Sequence, residues 1–266
     1  IMGDDEDMVK KMRVGQLDCA GISCQGADMI CPEMNALQLP FLFENWEEVD
    51  YVRGKMYAYF NRVAAQNGFY LIFWLDQDFD QIYSSKYQFR DFNDFSRARF
   101  MTWYGELEKA VLAKLGADPI PVNVPEASAA IRQGVVDSLI APALGILGFQ
   151  GYQVCRYINP ISIRYAPALA VFTMDAWNSL PSEYQEAMKE GRMEVVDEFC
   201  KAVRRDNKKA LVAMTRYGLR MVDVSPGLVD EYKRRTRPVW EELAGKEYKQ
   251  ETLDAILAHL KEFRSR

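Results

Sequence analysis

Residues 96–142 read SRARFMTWYGELEKAVLAKLGADPIPVNVPEASAAIRQGVVDSLIAP, and the order of elements in this stretch decides the fold class. SRARF alternates Arg97 and Arg99 with Ala98 and Phe100, a period of two that predicts a strand with both arginines on one face. GELEKAVLAKLG predicts a helix stopped by Gly116, and Pro119 and Pro121 then frame a short extended piece. PEASAAIRQ predicts a second helix from Pro125 to Gln133, with Gly134 as its C-terminal stop and the apolar VVDSLI as a strand beyond it. Strand, helix, strand, helix, strand is the pattern of an α/β domain with a largely parallel sheet. Ligands of such domains sit at the carboxyl ends of the strands. The reading places Arg99 near such an end, where its guanidinium can meet an anion.

Composition narrows the function. The 266 residues are 49% hydrophobic, enough for a sizeable core in one large or two modest domains. With 33 basic against 38 acidic residues and no long basic run, nucleic acid is not an expected partner. The longest nearly uncharged stretch, Ser138 to Tyr152, is broken by Pro142 and glycines and is too short to span a bilayer, so no direct membrane insertion is expected. A single histidine, His259, excludes His-based triads and His-rich metal sites within one chain. Cys19, Cys24, Cys31, Cys155 and Cys200 form no Cys-x-x-Cys, and the odd count reads as mostly buried free thiols.

Outward from the central stretch, IMGDDEDMVKKMRVG reads as an acidic helix start with a Gly stop, and GQLDCAGISC as a strand followed by polar turn material. Glu44 to Asn67 carries Val49, Val52, Met56, Tyr59, Phe60 and Val63 at helical spacing, and FYLIFWL after Gly68 is a buried strand. DQDFDQIYSSK reads as a loop with a second extended piece. CRYINPISIRYAPALAVFTM is strand-like throughout, and a very long helix runs from about Pro181 to Tyr217. MVDVS is a further strand, and two helices, about 226–243 and 250–264, close the chain. This order predicts a discontinuous layout. Residues 1–88 and 171–266 form one lobe, 89–170 the other, and 181–217 a helix bridging them. Strand crossings near Ser84–Arg90 and Ile163–Val171 would serve as hinges of an interlobe cleft that closes on a small molecule.

Several blocks together resemble the solute-binding proteins of TRAP transporters (tripartite ATP-independent periplasmic transporters). MGDDEDMVKKMRVGQLDCAGISC is similar to the family's opening helix, glycine, aspartate and strand, and CPEMNALQLPFLF to its proline and PFLF segment. SRARF falls where the family has its arginine strand, and LGADPIPVNVPEASAAIRQGVVDS resembles its alanine-rich helix and Gly-Val-Val-Asp turn. AVFTMDAWNSLP resembles the lead into its long helix, so the likeness covers about residues 2–240. The resemblance implies a two-lobed periplasmic-binding-protein-like α/β fold with a central cleft. It also implies a first strand and helix ahead of Ile1, with a signal peptide upstream. The implied function is a periplasmic receptor, monomeric and without a cofactor, that captures an organic acid and delivers it to TRAP membrane permease subunits.

The position matching the family's ligand arginine is Arg99, and a planar guanidinium can hold a carboxylate bidentately where lysine cannot. Where the family commonly has an asparagine before a proline, this chain has Ala141 before Pro142, and Leu147 stands at a family tyrosine. Trp103 and Tyr104 follow the arginine strand, and Phe79 falls at a pocket position of the first lobe. Arg164, in SIRYAP, is placed to replace the lost polar contact, with a surface hinge arginine as the plainer reading. Gln25, just after the first strand, completes the expected ligand contacts. The apolar, aromatic wall suits an aromatic or bulky apolar acid.

Other patterns carry less. Asp76, Asp78 and Asp80 alternate as in a calcium loop, but Gln81 stands where a glycine is needed and Tyr87 where a glutamate is. Gly145-x-x-Gly148-x-x-Gly151 follows no suitable strand–turn pattern and is not a dinucleotide fingerprint. KAVRRDNKKA reads as the solvated face of the long helix. An enzyme is disfavoured because no nucleophile–base pair, metal cluster or cofactor loop is visible. The alternative function is the ligand-sensing part of a signalling system, which gene neighbours encoding permease subunits would exclude.

Overall fold

Two long antiparallel strands organise the protein, and the computed structural model describes residues 3–103 and 105–266 around them. Strand β2, Phe69–Ser84, pairs with β6, Tyr157–Thr173, from Phe69 opposite Thr173 to Ser84 opposite Tyr157. The remaining strands are β1 (Cys19–Ile22), β3 (Arg99–Thr102), β4 (Asp118–Pro121), β5 (Ser138–Ala141) and β7 (Arg220–Met221). The sheet order is β1-β6-β2-β5-β3-β4, with β7 beside β6. It is mixed: β1/β6, β2/β6 and β2/β5 are antiparallel, while β3/β4, β3/β5 and β6/β7 are parallel. The parallel reading therefore holds for the central stretch that suggested it, and the rest of the sheet is antiparallel.

Helices cover this sheet. They are α1 (Asp5–Arg13), α2 (Cys24–Ile30), α3 (Trp46–Gln66), α4 (Asn93–Arg97), α5 (Gly105–Leu115) and α6 (Ala127–Gln133). Then follow α7 (Ala143–Gly148), α8 (Met174–Ser179), α9 (Ser182–Tyr217), α10 (Pro226–Thr236), α11 (Val239–Leu243) and α12 (Gln250–Arg264). Helix α3 starts where Asn45 accepts from the Glu48 N–H at 2.9 Å, and it buries Val49, Val52, Met56, Phe60 and Ala64 along one face. Its partners include Trp74 on β2, and truncating a ring such as Phe60 to Ala costs roughly 3–5 kcal/mol. The larger core joins α3, α12, α10, α11 and α5 to one side of the sheet, and a second gathers Leu139, Ile146, Ala130 and Met214 around β5. Helix α9 buries only a stripe, Val196, Cys200, Asn207, Ala210 and Met214.

Three expectations are corrected. SRARF is not one strand: Asn93–Arg97 is helical and the strand begins at Arg99. Asp94 receives the Phe89 N–H at 3.0 Å and pairs with exposed Arg97 at 2.6 Å, an i,i+3 helix contact that takes Arg97 off the strand. Arg99 is thus the first residue of β3, at its amino end, not near the carboxyl end. Second, DQDFDQIYS is a continuation of β2: Arg53 and Arg204 pair with Asp76, Arg164 pairs with Asp80, and burial raises the Asp78 carboxyl, so the acids that made it read as a loop are accommodated on a strand. Third, the polar turn after β1 is helix α2, started by Ser23, whose hydroxyl accepts from the Gln25 N–H at 3.2 Å. Cys19 is exposed and the other four thiols are buried, all five free. Among the described residues, no helix is long and apolar enough to cross a membrane.

Candidate functional site: an apolar cleft beside the central strands

A cleft of about 860 Å³ opens at the carboxyl ends of β3 and β5. Its floor is Asp76 and Gln77 of β2, Ala168 of β6, and Phe199 and Val203 of α9. One wall is Ala141 and Pro142 at the end of β5, then Leu144, Gly145 and Gly148 of α7 with Phe149 and Gln150. Trp103, Val124 and Pro125 close a second side, and Ser23 and Gln25 at the start of α2 face them.

Gln77, Gln25, Trp103 and Asp76 are each placed by an identifiable device. Gln77 lies at a break in the β2/β6 register, where Asp76 faces Pro167 and Asp78 faces Ala166, so two neighbours on β2 are separated by one unpaired residue. Such a bulge re-aims the extra side chain, here into the cleft and to 3.7 Å from Cys24 Sγ. Asp5 accepts from the Ser23 and Gly26 N–H groups at 2.9 and 3.3 Å and fixes the start of α2, hence Gln25. Trp103 donates its backbone N–H to Glu108 at 3.2 Å, and its ring meets Phe149 edge-on at 5.9 Å. Among the described residues Asp76 is the one charged lining residue, and its carboxylate is consumed by Arg53, Arg204 and the Tyr165 hydroxyl, the last donating at 2.8 Å. Among the described residues, no lysine or arginine lines the cleft.

The residues expected from sequence divide accordingly. Gln25, Trp103 and Ala141 come together in the cleft. Phe79 is buried beside it, packed on Trp46 at 4.6 Å and Tyr165 at 6.0 Å, and does not line it. Arg164 is neither a hinge surface residue nor a lining one. Its side chain is 2% exposed and donates to Asp80 and Glu108, both at 3.0 Å. Arg99 lies on the far side of β3 in a separate pocket, 3.6 Å from Asp137. The structure therefore separates Arg99 and Arg164 from the cleft that the other three share. Tyr104 lies outside the described residues. Among the described residues no cluster of metal-ligating side chains forms, and Asp76, Asp78 and Asp80 sit on a strand instead of a loop.

Sequence reasoning missed Gln77, Asn207 and Asp78. Asn207 accepts from the Leu144 N–H at 2.9 Å and donates to the Gln77 carbonyl at 2.6 Å. Burial pushes the Asp78 carboxyl up to about 7, while the Phe79 and Ala143 N–H groups hold it down. The first two N–H groups of α7 are thus met by side chains of β2 and α9, which sets that wall against the floor.

A mixed α/β sheet with helices on its faces, a long helix, and a cleft at strand ends define a protein of the two-lobed solute-binding class. More particularly, the chain belongs to the DctP family, bacterial extracellular solute-binding protein family 7, whose model matches residues 1–247. A solute-binding protein of Chromohalobacter salexigens is 19% identical over 199 residues, 74% of this chain, and the chain spans 59% of that relative's length. The 2,3-diketo-L-gulonate-binding periplasmic protein YiaO of Escherichia coli is 20% identical, over 83% of this chain and 68% of its own. The fold matches the sugar acid binding protein DctPAm of Advenella mimigardefordensis, solved with galactonate. That match has a TM-score of 0.91 at 20% identity and covers 98% of this chain and 84% of that one.

Proposed function

We propose that the chain is a periplasmic receptor that captures a small organic acid in the cleft and delivers it to TRAP membrane permease subunits. Membership of an extracellular solute-binding family supports the receptor role, and the diketogulonate and galactonate of two relatives support the acid. The observation that carries the reading is the cleft itself, of a volume suited to one small molecule and lined mainly by apolar side chains. Trp103, Phe149, Phe199 and Leu144 suit an aromatic or bulky apolar body. The carboxylate is met by neutral amide donors of Gln25, Gln77 and Gln150 instead of a guanidinium, since two or three N–H bonds suffice to favour an ionised carboxylate. The lobes are residues 1–88 with 171–266, and 89–170; β2 and β6 cross between them, and ligand draws them together.

The test begins with native mass spectrometry of the purified protein to identify a co-purified acid. Calorimetry with that acid then compares Gln25→Ala, Gln77→Ala and Arg99→Ala. Each glutamine variant should lose about tenfold in affinity, or ~1.4 kcal/mol, and Arg99→Ala should stay near wild type. The receptor reading fails if the acid comes back chemically altered after incubation with pure protein, or if cleft variants leave its affinity unchanged.

A further inference from the structure

We propose a second ligand site, separate from the cleft, that takes a small multiply charged anion bearing phosphate or several carboxylates. A pocket of about 640 Å³ lies at the amino end of β3, where Lys86, Arg99, Arg132 and Arg156 converge with Asp137 as the acid among the lining residues. The four cations come from different elements: the segment after β2, the first residue of β3, helix α6 and the approach to β6. A solvated helix face gathers like charges along one helix; here the tertiary fold gathers them. Among the described residues, Lys86, Arg132 and Arg156 have no ion-pair partner.

Asp137 does not neutralise the group. Its side chain is 5% exposed and turned inward, accepting from the Arg99 N–H and the Ser138 hydroxyl, both at 2.9 Å. What remains for Arg99 is a 3.6 Å approach of Nε, longer than a charge-assisted hydrogen bond, with the side chain 54% exposed. The chain as a whole is acidic, at −5, so this concave basic spot opposes the overall field and concentrates anions locally. Tyr217 and Gln153 line the same pocket and add hydrogen-bonding groups. Because Tyr217 is the last residue of α9 and Arg156 directly precedes β6, an anion held here joins the end of the long helix to the central strands.

The test uses the full chain with two probes, pyrophosphate and citrate, titrated by calorimetry at low salt. Saturable one-to-one binding of either probe is expected, and whichever binds assigns phosphate or polycarboxylate chemistry. Arg132→Ala with Arg156→Ala should weaken it at least tenfold, and Arg62→Ala, an exposed cation on α3, less than twofold. Gly148→Phe, which fills the cleft, should leave probe binding intact. No saturable binding to the wild type overturns the proposal, as does equal binding to the double variant. Loss of probe binding in Gly148→Phe would assign the probe to the cleft and overturn the second site while leaving the receptor reading in place.

Discussion

Asn207, in the C-terminal part of the long helix, accepts the backbone N–H of Leu144 at 2.9 Å and so ties α9 to a wall of the cleft. The same amide donates to the Gln77 carbonyl at 2.6 Å and is 1% exposed. Helix α7 is six residues long and has no capping side chain of its own. Its opening N–H groups would be orphaned without Asn207 and Asp78. One buried amide thereby sets the relation of wall, floor and spine.

Asn207→Leu keeps the volume and removes those bonds. Leaving the Leu144 N–H and the Gln77 carbonyl unmet should cost about 1–3 kcal/mol for each buried group. Urea unfolding measures the loss, and an unchanged midpoint would show that the amide is dispensable. The affinity for the cleft ligand should fall as well, because α7 loses its fixed position.

Asp78 should make the protein more stable in mild acid. Burial raises its carboxyl from 3.8 to about 7, aided by the charges of Asp80 and Asp76 and opposed by the Phe79 and Ala143 N–H groups. Burial also lifts Asp80 to about 6, although Arg164 pulls the other way. A native state that keeps a proton longer than the unfolded chain binds more protons between 3.8 and about 7, so its stability rises as pH falls through that window. The melting temperature should therefore climb between about pH 8 and about pH 5, and Asp78→Asn should flatten most of that climb. Equal slopes in the two proteins would remove Asp78 as the cause.

Much of the architecture was legible because it is local. The 3.6-residue spacing of Val49, Val52, Met56 and Phe60 marks α3, and Gly134, at φ 72°, stops α6 where the sequence placed the stop. What escaped depends on distant partners. Asp76, Asp78 and Asp80 read as a polar turn until Arg53 and Arg204 reach Asp76 from α3 and α9, Arg164 reaches Asp80 from β6, and burial raises the Asp78 carboxyl. Gln77 acquires its direction from a bulge created by pairing with residues 166 and 167. Asn207 sits in a run that reads as solvated, and Arg205, Lys208 and Lys209 are indeed exposed. The signal for Asn207 was its place on the stripe of Val196, Cys200, Ala210 and Met214. Arg99 shows the opposite failure: the residue type fitted an anion, but the strand begins at Arg99 and the side chain stands at the wrong end for the cleft.

Arg164→Met should be severely destabilising. Arg164 bridges Asp80 and Glu108, and Glu108 in turn accepts from the Thr102 hydroxyl at 2.8 Å and the Trp103 N–H. Removing the guanidinium strands two buried carboxylates, at a cost of roughly 3–5 kcal/mol. Adding Glu108→Gln should restore part of the loss, since it removes one stranded charge and keeps a hydrogen-bonding side chain beside Trp103. Thermal unfolding of the single and double variants decides; a double variant no better than the single one would mean that packing around Arg164, not charge, sets the cost.

Gly148→Phe separates the cleft from the stability of the fold. Gly148 lines the cleft, and a Cβ built on it meets no heavy atom within 4 Å, so a side chain there enters open space without displacing a neighbour. It ends α7 and is not among the glycines with positive φ, so the backbone accepts a larger residue without strain. Replacing a glycine lowers the backbone freedom of the unfolded chain, so the melting temperature should hold or rise slightly. The ring nevertheless takes volume that the ligand needs, alongside Phe149 and opposite Phe199. Affinity for the acid identified by mass spectrometry should fall at least tenfold, about 1.4 kcal/mol or more. Near-wild-type affinity with an intact fold would mean that the acid is bound elsewhere.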